Sequence, residues 1–308
     1  MPSAGDIRRQ VEKETEARGR LSVPAFAGGF IYLLAAIVGA ATESGLPKVG
    51  LLQGLAPALR GEANPPISPR TAEVKFISHH ALQLIATSFL AAVSIIVLTG
   101  ILLVFFDAAR FRRPTTWPQA RILVLIGGIG VAFTSVGHQV IGAIETHKFA
   151  VGHDFSISAV EHALTKNPAA EVFAYLGLLV LLAFVTSMVI VLLNALRTGL
   201  LPRWMGYVGM LSAFLILIPT AGATLQLIPA FWLLMIGLLF GGRWPGKPPA
   251  GGDPPAWAAG EARPWPTRAQ LRAERSGAGG ASAAPAPSPA AVPVKASSRK
   301  RRKRGGRT

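Results

Sequence analysis

The stretch "HALQLIATSFLAAVSIIVLTGILLVFF", His80 to Phe106, runs for 27 residues without a charged side chain and stops at Asp107 and "ARFRR". A bilayer core about 30 Å thick is crossed by roughly 20 apolar residues in a helix. In lipid a lone segment must satisfy its own backbone polar groups, so this stretch reads as a transmembrane helix.

Working outward, similar runs recur. Pro24 opens "AFAGGFIYLLAAIVGAAT", 18 residues without a charge. A third span, "RILVLIGGIGVAFTSVGHQVIGAI", runs from Arg121 to Ile144. Asn167-Pro168, an N-cap followed by proline at the first helical position, opens a fourth that ends near Arg197, with Gly199 and Pro202 as stop signals. Segments 204–220 and 224–241 are a fifth and sixth, joined by the turn "TAGA". Pro219 and Pro229 beside that turn read as kinks or helix ends.

The composition agrees. Hydrophobic residues make up 51% of the 308 and charged residues 15%, against about a quarter charged in soluble domains. The fold expected is all-α: a polytopic membrane helix bundle of about six spans with a disordered basic C-terminal tail. Residues 1–22 are expected as a charged cytoplasmic segment, 23–241 as the transmembrane domain and 242–308 as the tail. Glu14/Arg18 and Glu16/Arg20 have the i,i+4 spacing of a short solvated helix. A cleaved signal peptide is the competing reading of the first span, with Val38-Gly39-Ala40 at the cleavage point. The long, nearly neutral region before it favours an uncleaved helix.

The net charge of +16 is unevenly placed. From Arg243 onward there are 14 Lys/Arg against 3 Asp/Glu, so +11 of it lies in the last 66 residues. Lys/Arg in short connections set orientation. Arg110, Arg112, Arg113 and Arg121 follow the second span, Arg197 and Arg203 the fourth, while only Lys148 and Lys166 lie between the third and fourth. Both termini are therefore expected on the cytoplasmic side of the membrane. Trp117, Trp204 and Tyr207 fall where interfacial anchors belong. The connection 47–78 is rich in proline, and "VGLLQGLAPAL" within it suits an interfacial position.

The tail ends in "RKRRKR", Arg299, Lys300, Arg301, Arg302, Lys303 and Arg304. Anionic lipid headgroups attract such a block, and so do the phosphates of RNA or the ribosome. Lipid is the nearer partner. No aromatic residue interleaves the block to stack on bases.

Chemistry-bearing residues gather on the opposite side. All six histidines lie there, four of them between Ser135 and His162. His138 is 17 residues beyond Arg121, about 26 Å along a helix at 1.5 Å per residue. Thr134, His138, Gly142 and Glu145 share one helical face, as do His80, Gln83, Thr87 and Ser94. The two stripes are expected to face each other in the bundle interior.

The candidate outer site is thus His80, Gln83, Thr134, His138, Glu145, His147, Glu161 and His162, with His147, His153 and His162 in the outer connection. Its leading reading is a polar cap with cross-helix hydrogen bonds, with Ser158–Glu161 as a capping box. A haem or transition metal held by imidazoles and carboxylates is the alternative, and a proton-coupled site a third. No cofactor is the leading expectation. The chain has no cysteine, which removes thiolate ligands and nucleophiles, and no nucleophile–base–orienter set supports an enzyme. "GGIG" at 127–130 reads as close helix packing.

Finally, "GLLPRWMGYVGMLSAFLILIP" and "LIPAFWLLMIGLLFGGRWPGKPPA", followed through "GEARPWP", resemble actinobacterial multi-pass membrane proteins of unknown function. That resemblance implies a six-helix inner-membrane protein and no catalytic residue. The functional expectation is a non-enzymatic scaffold or regulatory membrane component, with a small-solute or proton-coupled transporter, and then a haem or metal redox protein, as alternatives.

Overall fold

The computed structural model describes residues 3–47, 49–50, 59, 61, 67–152, 154–164, 167–218, 223–244, 253–265 and 272. Among them there are helices and no strands. The helices are α1 (Ala4–Ser44), α2 (Thr71–His79), α3 (Ala81–Arg112), α4 (Ala120–Val151), α5 (Ile157–Leu164), α6 (Pro168–Thr198), α7 (Arg203–Leu217), α8 (Ala223–Phe240) and α9 (Pro255–Ala259). Four stretches are long and apolar enough to cross a membrane: Ala4–Ser44, Ala81–Arg112, Ala120–Val151 and Ile157–Thr198, the last taking in α5 and α6. The chain is an all-helical membrane bundle.

The long helices form a closed ring. α1 packs on α3, α3 on α4, α4 on α6, α6 on α7, α7 on α8 and α8 back on α1, with α3 also touching α6 across the middle. Small residues permit these approaches, since a Cβ on them would collide with the neighbouring helix. On Gly29 it would lie 2.7 Å from the Leu234 nitrogen, and on Gly127 2.7 Å from that of Phe184. At Gly128 it would overlap the Thr99 hydroxyl. The expected packing role of "GGIG" is what the α3–α4–α6 junction uses.

The core is concentrated at the end of the ring where α3 and α6 finish. Leu98, Ile101, Leu102, Phe105 and Phe106 of α3 meet Met188 and Leu192 of α6 and Trp232 and Ile236 of α8, all buried. The Trp232 indole N–H donates to the Met205 carbonyl at 2.8 Å, which removes its desolvation cost.

Several helix ends match their sequence signals. The Asn167 side chain accepts from the N–H groups of Ala169 and Ala170, with Pro168 as the first helical residue. Gly199 closes α6 in the left-handed conformation, φ +80°, which glycine adopts without a Cβ penalty.

Others depart from expectation. α1 continues through Pro24, so the charged segment and the first span are one helix of 41 residues. Proline lacks one donor and crowds the preceding turn, and local packing outweighs that penalty here. α3 does not stop at Asp107 but runs to Arg112, because its last turns are buried against the N-terminal part of α1 and α9. α4 continues to Val151, so His147 stands on that helix rather than in a connection. Pro229 lies inside α8.

The C-terminal side differs most. Within the stretch expected as tail, Asp253–Trp265 fold back across the end of the bundle as a strap. Ala256 and Trp257 are buried, the Trp257 indole N–H donates to the Leu200 carbonyl at 3.0 Å, and Arg263 N–H donates to the Thr198 carbonyl at 3.0 Å. The "RKRRKR" block, His153, Lys166, Pro219 and most of "VGLLQGLAPAL" lie outside the described residues.

Candidate functional site

At the end away from the strap, α2 and α5 close over α4. Val74, Phe149, Val160 and Ala163 form a small apolar core of their own, and Ser68 N–H donates to the Phe155 carbonyl at 2.8 Å. Ser156, rather than Ser158, caps α5: its hydroxyl accepts from Ala159 N–H at 3.3 Å. Ser158 is already inside the helix, and the residue three after Ser156 is Ala159, so Ser156 caps by its hydroxyl alone and the Ser158–Glu161 box is not the cap.

The histidines are distributed over this cap. His80 sits at the α2–α3 junction, stacked on Phe76 at 4.0 Å between ring centroids. Its Nδ1 faces the Phe76 carbonyl oxygen at 2.9 Å. A carbonyl only accepts, so Nδ1 donates in this hydrogen bond. Gln83 and His147 are exposed.

His162 Nδ1 lies 4.0 Å from Glu145, which also takes Lys148 Nζ at 2.8 Å. Arg70 grips Glu73 at 2.7 and 2.9 Å. That hydrogen bonding, with the nearby charges of Glu73 and Glu161, holds the Arg70 guanidinium above its ordinary value. The structure therefore brings Glu145 and His162 together and sets Glu161 near Arg70. Among the described residues no three His, Asp or Glu stand close enough to hold a metal ion.

His138 is elsewhere, on a shallow groove with Ser88, Thr134, Ser135, Gln139 and Phe173, about 360 Å³ in volume. His80 does not line it. The Thr134 hydroxyl turns back to the Gly130 carbonyl at 2.8 Å. The stripe expected on α3 divides as well. Ser94 faces α1, its hydroxyl donating to the Gly28 carbonyl at 2.9 Å, and Thr87 faces a different crevice. The two polar stripes do not meet through His80 and His138. Ser88 borders both spaces, whereas its neighbour Thr87, one 100° step away on the helix, lines only the crevice toward α1.

The crevice that Thr87 lines holds about 330 Å³ between α1, α3 and α8. Tyr32, Gly39, Glu43, Ser88 and Gln226 line it, and the Tyr32 hydroxyl donates to Gln226 Oε1. Tyr32 and Gln226 lie 194 residues apart in the chain. No local pattern announces such a pair.

The most developed polar cluster is at the opposite end, under the strap. The Arg112 side chain is fully buried and Glu14 is 6% exposed. Arg112 holds Glu14 through two hydrogen bonds of 2.8 and 2.7 Å. It also donates to the Ala256 carbonyl at 3.1 and 2.8 Å and to the Ala108 carbonyl at 2.9 Å. Gln10 adds a third hydrogen bond to Glu14 at 2.9 Å.

Arg18 lies over the Trp257 ring at 4.7 Å and reaches the Leu239 carbonyl and Asp253, both at 3.1 Å. Its Nε is buried without a hydrogen-bond partner. The expected Glu14/Arg18 pairing is therefore replaced by long-range partners, and this part of α1 is not solvated, whereas Glu16/Arg20 does pair. A planar guanidinium bound to a carboxylate through two N–H groups is geometrically demanding. Chemically the cluster is a clamp joining α1, α3 and the strap.

Comparison with family models, curated proteins and solved structures finds no match for this chain.

Proposed function

We propose that the chain is a non-enzymatic scaffold or regulatory component of a bacterial cytoplasmic membrane. It crosses six times, with both termini in the cytoplasm. One observation carries the reading: the strap is locked onto the N-terminal extension by the Arg112–Glu14 clamp, so Trp265, from which the basic segment continues, is held at a fixed place. The closed ring supports six crossings, because α7 and α8 pack along α6 and α1. Orientation is supported by Arg110, Arg112, Arg113, Arg121, Arg197 and Arg203, gathered at the helix ends and connections on this side. The resemblance to actinobacterial membrane proteins fits this reading and assigns no residue a role.

The test is partner recovery from membranes with the full chain, a chain ending at Trp265, and His138→Ala. The scaffold reading expects truncation to change the recovered partners and His138→Ala to leave them unchanged. Identical partners from full and truncated chains would overturn it.

One observation favours a transporter as the second reading, namely the Tyr32–Gln226 crevice rather than the histidines. Polar groups within a membrane bundle gather along solute paths. That reading expects solute flux in vesicles that falls in Tyr32→Phe and Gln226→Leu. Flux unchanged in both would remove the crevice from any path.

A further inference from the structure

A cleft of about 450 Å³ lies between the N-terminal part of α1 and the ends of α3 and α4. That is within the roughly 300–1,000 Å³ typical of small-molecule sites. Lys13, Arg110 and Arg121 line it, with Gln10, Glu14 and Asp107 as its other polar groups. The charges are not balanced. Glu14 is already held by Arg112 through both carboxylate oxygens, and Asp107 faces Arg121 at 3.3 Å. Lys13 and Arg110 make no ion pair among the described residues, and Arg110 is steadied over the Phe106 ring at 5.9 Å.

The cleft is also graded along its depth. On α1 the lining residues run from Gln10 and Lys13 to Ala17, toward the apolar part of the helix. On α3 they run in the same direction from Arg110 through Asp107 to Val104. Cations stand where the helices leave the bilayer, and methyl-bearing side chains continue into it. An amphiphile with a negative head fits that gradient, whereas a fully hydrated anion has no use for its apolar half. Lys and Arg at a membrane boundary attract anionic lipid, and their ammonium and guanidinium groups donate well to phosphate oxygens.

We propose that this cleft binds the phosphate-bearing headgroup of an anionic phospholipid from the adjoining leaflet, with Lys13 and Arg110 as the principal donors. The site is distinct from the polybasic block and does not depend on which way the bundle faces.

The test uses the full chain in a neutral detergent, titrated with phosphatidylglycerol or phosphatidylcholine and read by native mass spectrometry. Two variants remove equal charge: Lys13→Gln/Arg110→Gln from the cleft, and Arg8→Gln/Arg197→Gln from exposed positions outside it. The expected result is preferential binding of phosphatidylglycerol, weakened on the order of tenfold in the cleft variant and unchanged in the control. Because all four residues are exposed, both variants should elute and melt as the parent does. Equal weakening in both variants would make the effect one of general charge and overturn the assignment. So would equal binding of phosphatidylcholine, or displacement of the lipid by inorganic phosphate at matched ionic strength.

Discussion

Arg112 and Glu14, 98 residues apart, meet through two parallel hydrogen bonds of 2.8 and 2.7 Å with almost no exposure to solvent. Desolvating two charges is costly, and the geometry recovers that cost only while both partners are present. Arg112→Met and Glu14→Leu should each destabilise the protein by about 3–5 kcal/mol. The paired change Arg112→Met/Glu14→Leu should cost much less than the sum, because no charge is left stranded. Unfolding of the four proteins in detergent, arranged as a double-mutant cycle, measures the difference.

Gly199 is a second point of attachment. Its φ of +80° is a left-handed value, and a Cβ there would overlap the Arg263 carbonyl oxygen. Gly199→Ala should therefore loosen the strap while leaving the spans folded. Limited proteolysis after the exposed Glu261 by a glutamyl endopeptidase should accelerate in the variant, with the helical circular dichroism unchanged.

Close packing of α3 on α4 predicts a contrast between two glycines of one helix. A Cβ at Gly128 would overlap the Thr99 hydroxyl, whereas one at Gly142 meets nothing within 4 Å. Gly128→Ala should destabilise by about 1–3 kcal/mol, the usual cost of overpacking. Gly142→Ala should be neutral or slightly stabilising through helix propensity. Thermal unfolding of both variants checks the pair.

At the cap, hydrogen bonds from the Ser156 N–H and hydroxyl hold the Asp154 carboxyl below its ordinary range. A lowered folded-state pKa contributes stability above the unfolded value, about 3.9, and loses it as pH falls through the lowered value. Amide exchange at Ala159 and Val160 should therefore show no loss of α5 protection to Asp154 titration between pH 5 and 7. That protection should fall only in more acid solution, and Asp154→Ala should bring the loss to neutral pH.

The span pattern was legible because lipid imposes a simple rule: charge-free runs of helical length and their caps are local features. Asn167-Pro168 and Gly199 accordingly end α6 where they were expected to. The clamp was not legible. Glu14 and Arg18 have the spacing of a surface pair, and only the fold reveals that Arg112 and Asp253 take their place.

The strap was hidden for a related reason. "DPPAWAAGEARPW" lacks apolar periodicity, and what holds it is one buried indole, one backbone hydrogen bond and the guanidinium groups of Arg18, Arg112 and Arg203 from three other helices. Among the candidate outer residues, face-sharing along a single helix was correctly read for Thr134 and His138. His80, turned onto Phe76 at the α2–α3 junction, stays off the His138 groove through packing that no single-helix pattern contains.

The chain's lack of cysteine allows the central claim, that the strap is fixed on the N-terminal extension, to be tested with one engineered pair. A Cβ built at Gly260 lies 3.7 Å from the Ile7 Cβ, inside the roughly 3.5–4.5 Å that a disulfide requires. Ile7→Cys/Gly260→Cys, oxidised in native membranes, should give a monomer of altered electrophoretic mobility that reverts on reduction. Arg112→Ala in the same background should reduce its yield. An equal yield from Ile7→Cys paired with Gly242→Cys, whose left-handed φ of +66° matches the +65° of Gly260, would contradict the account.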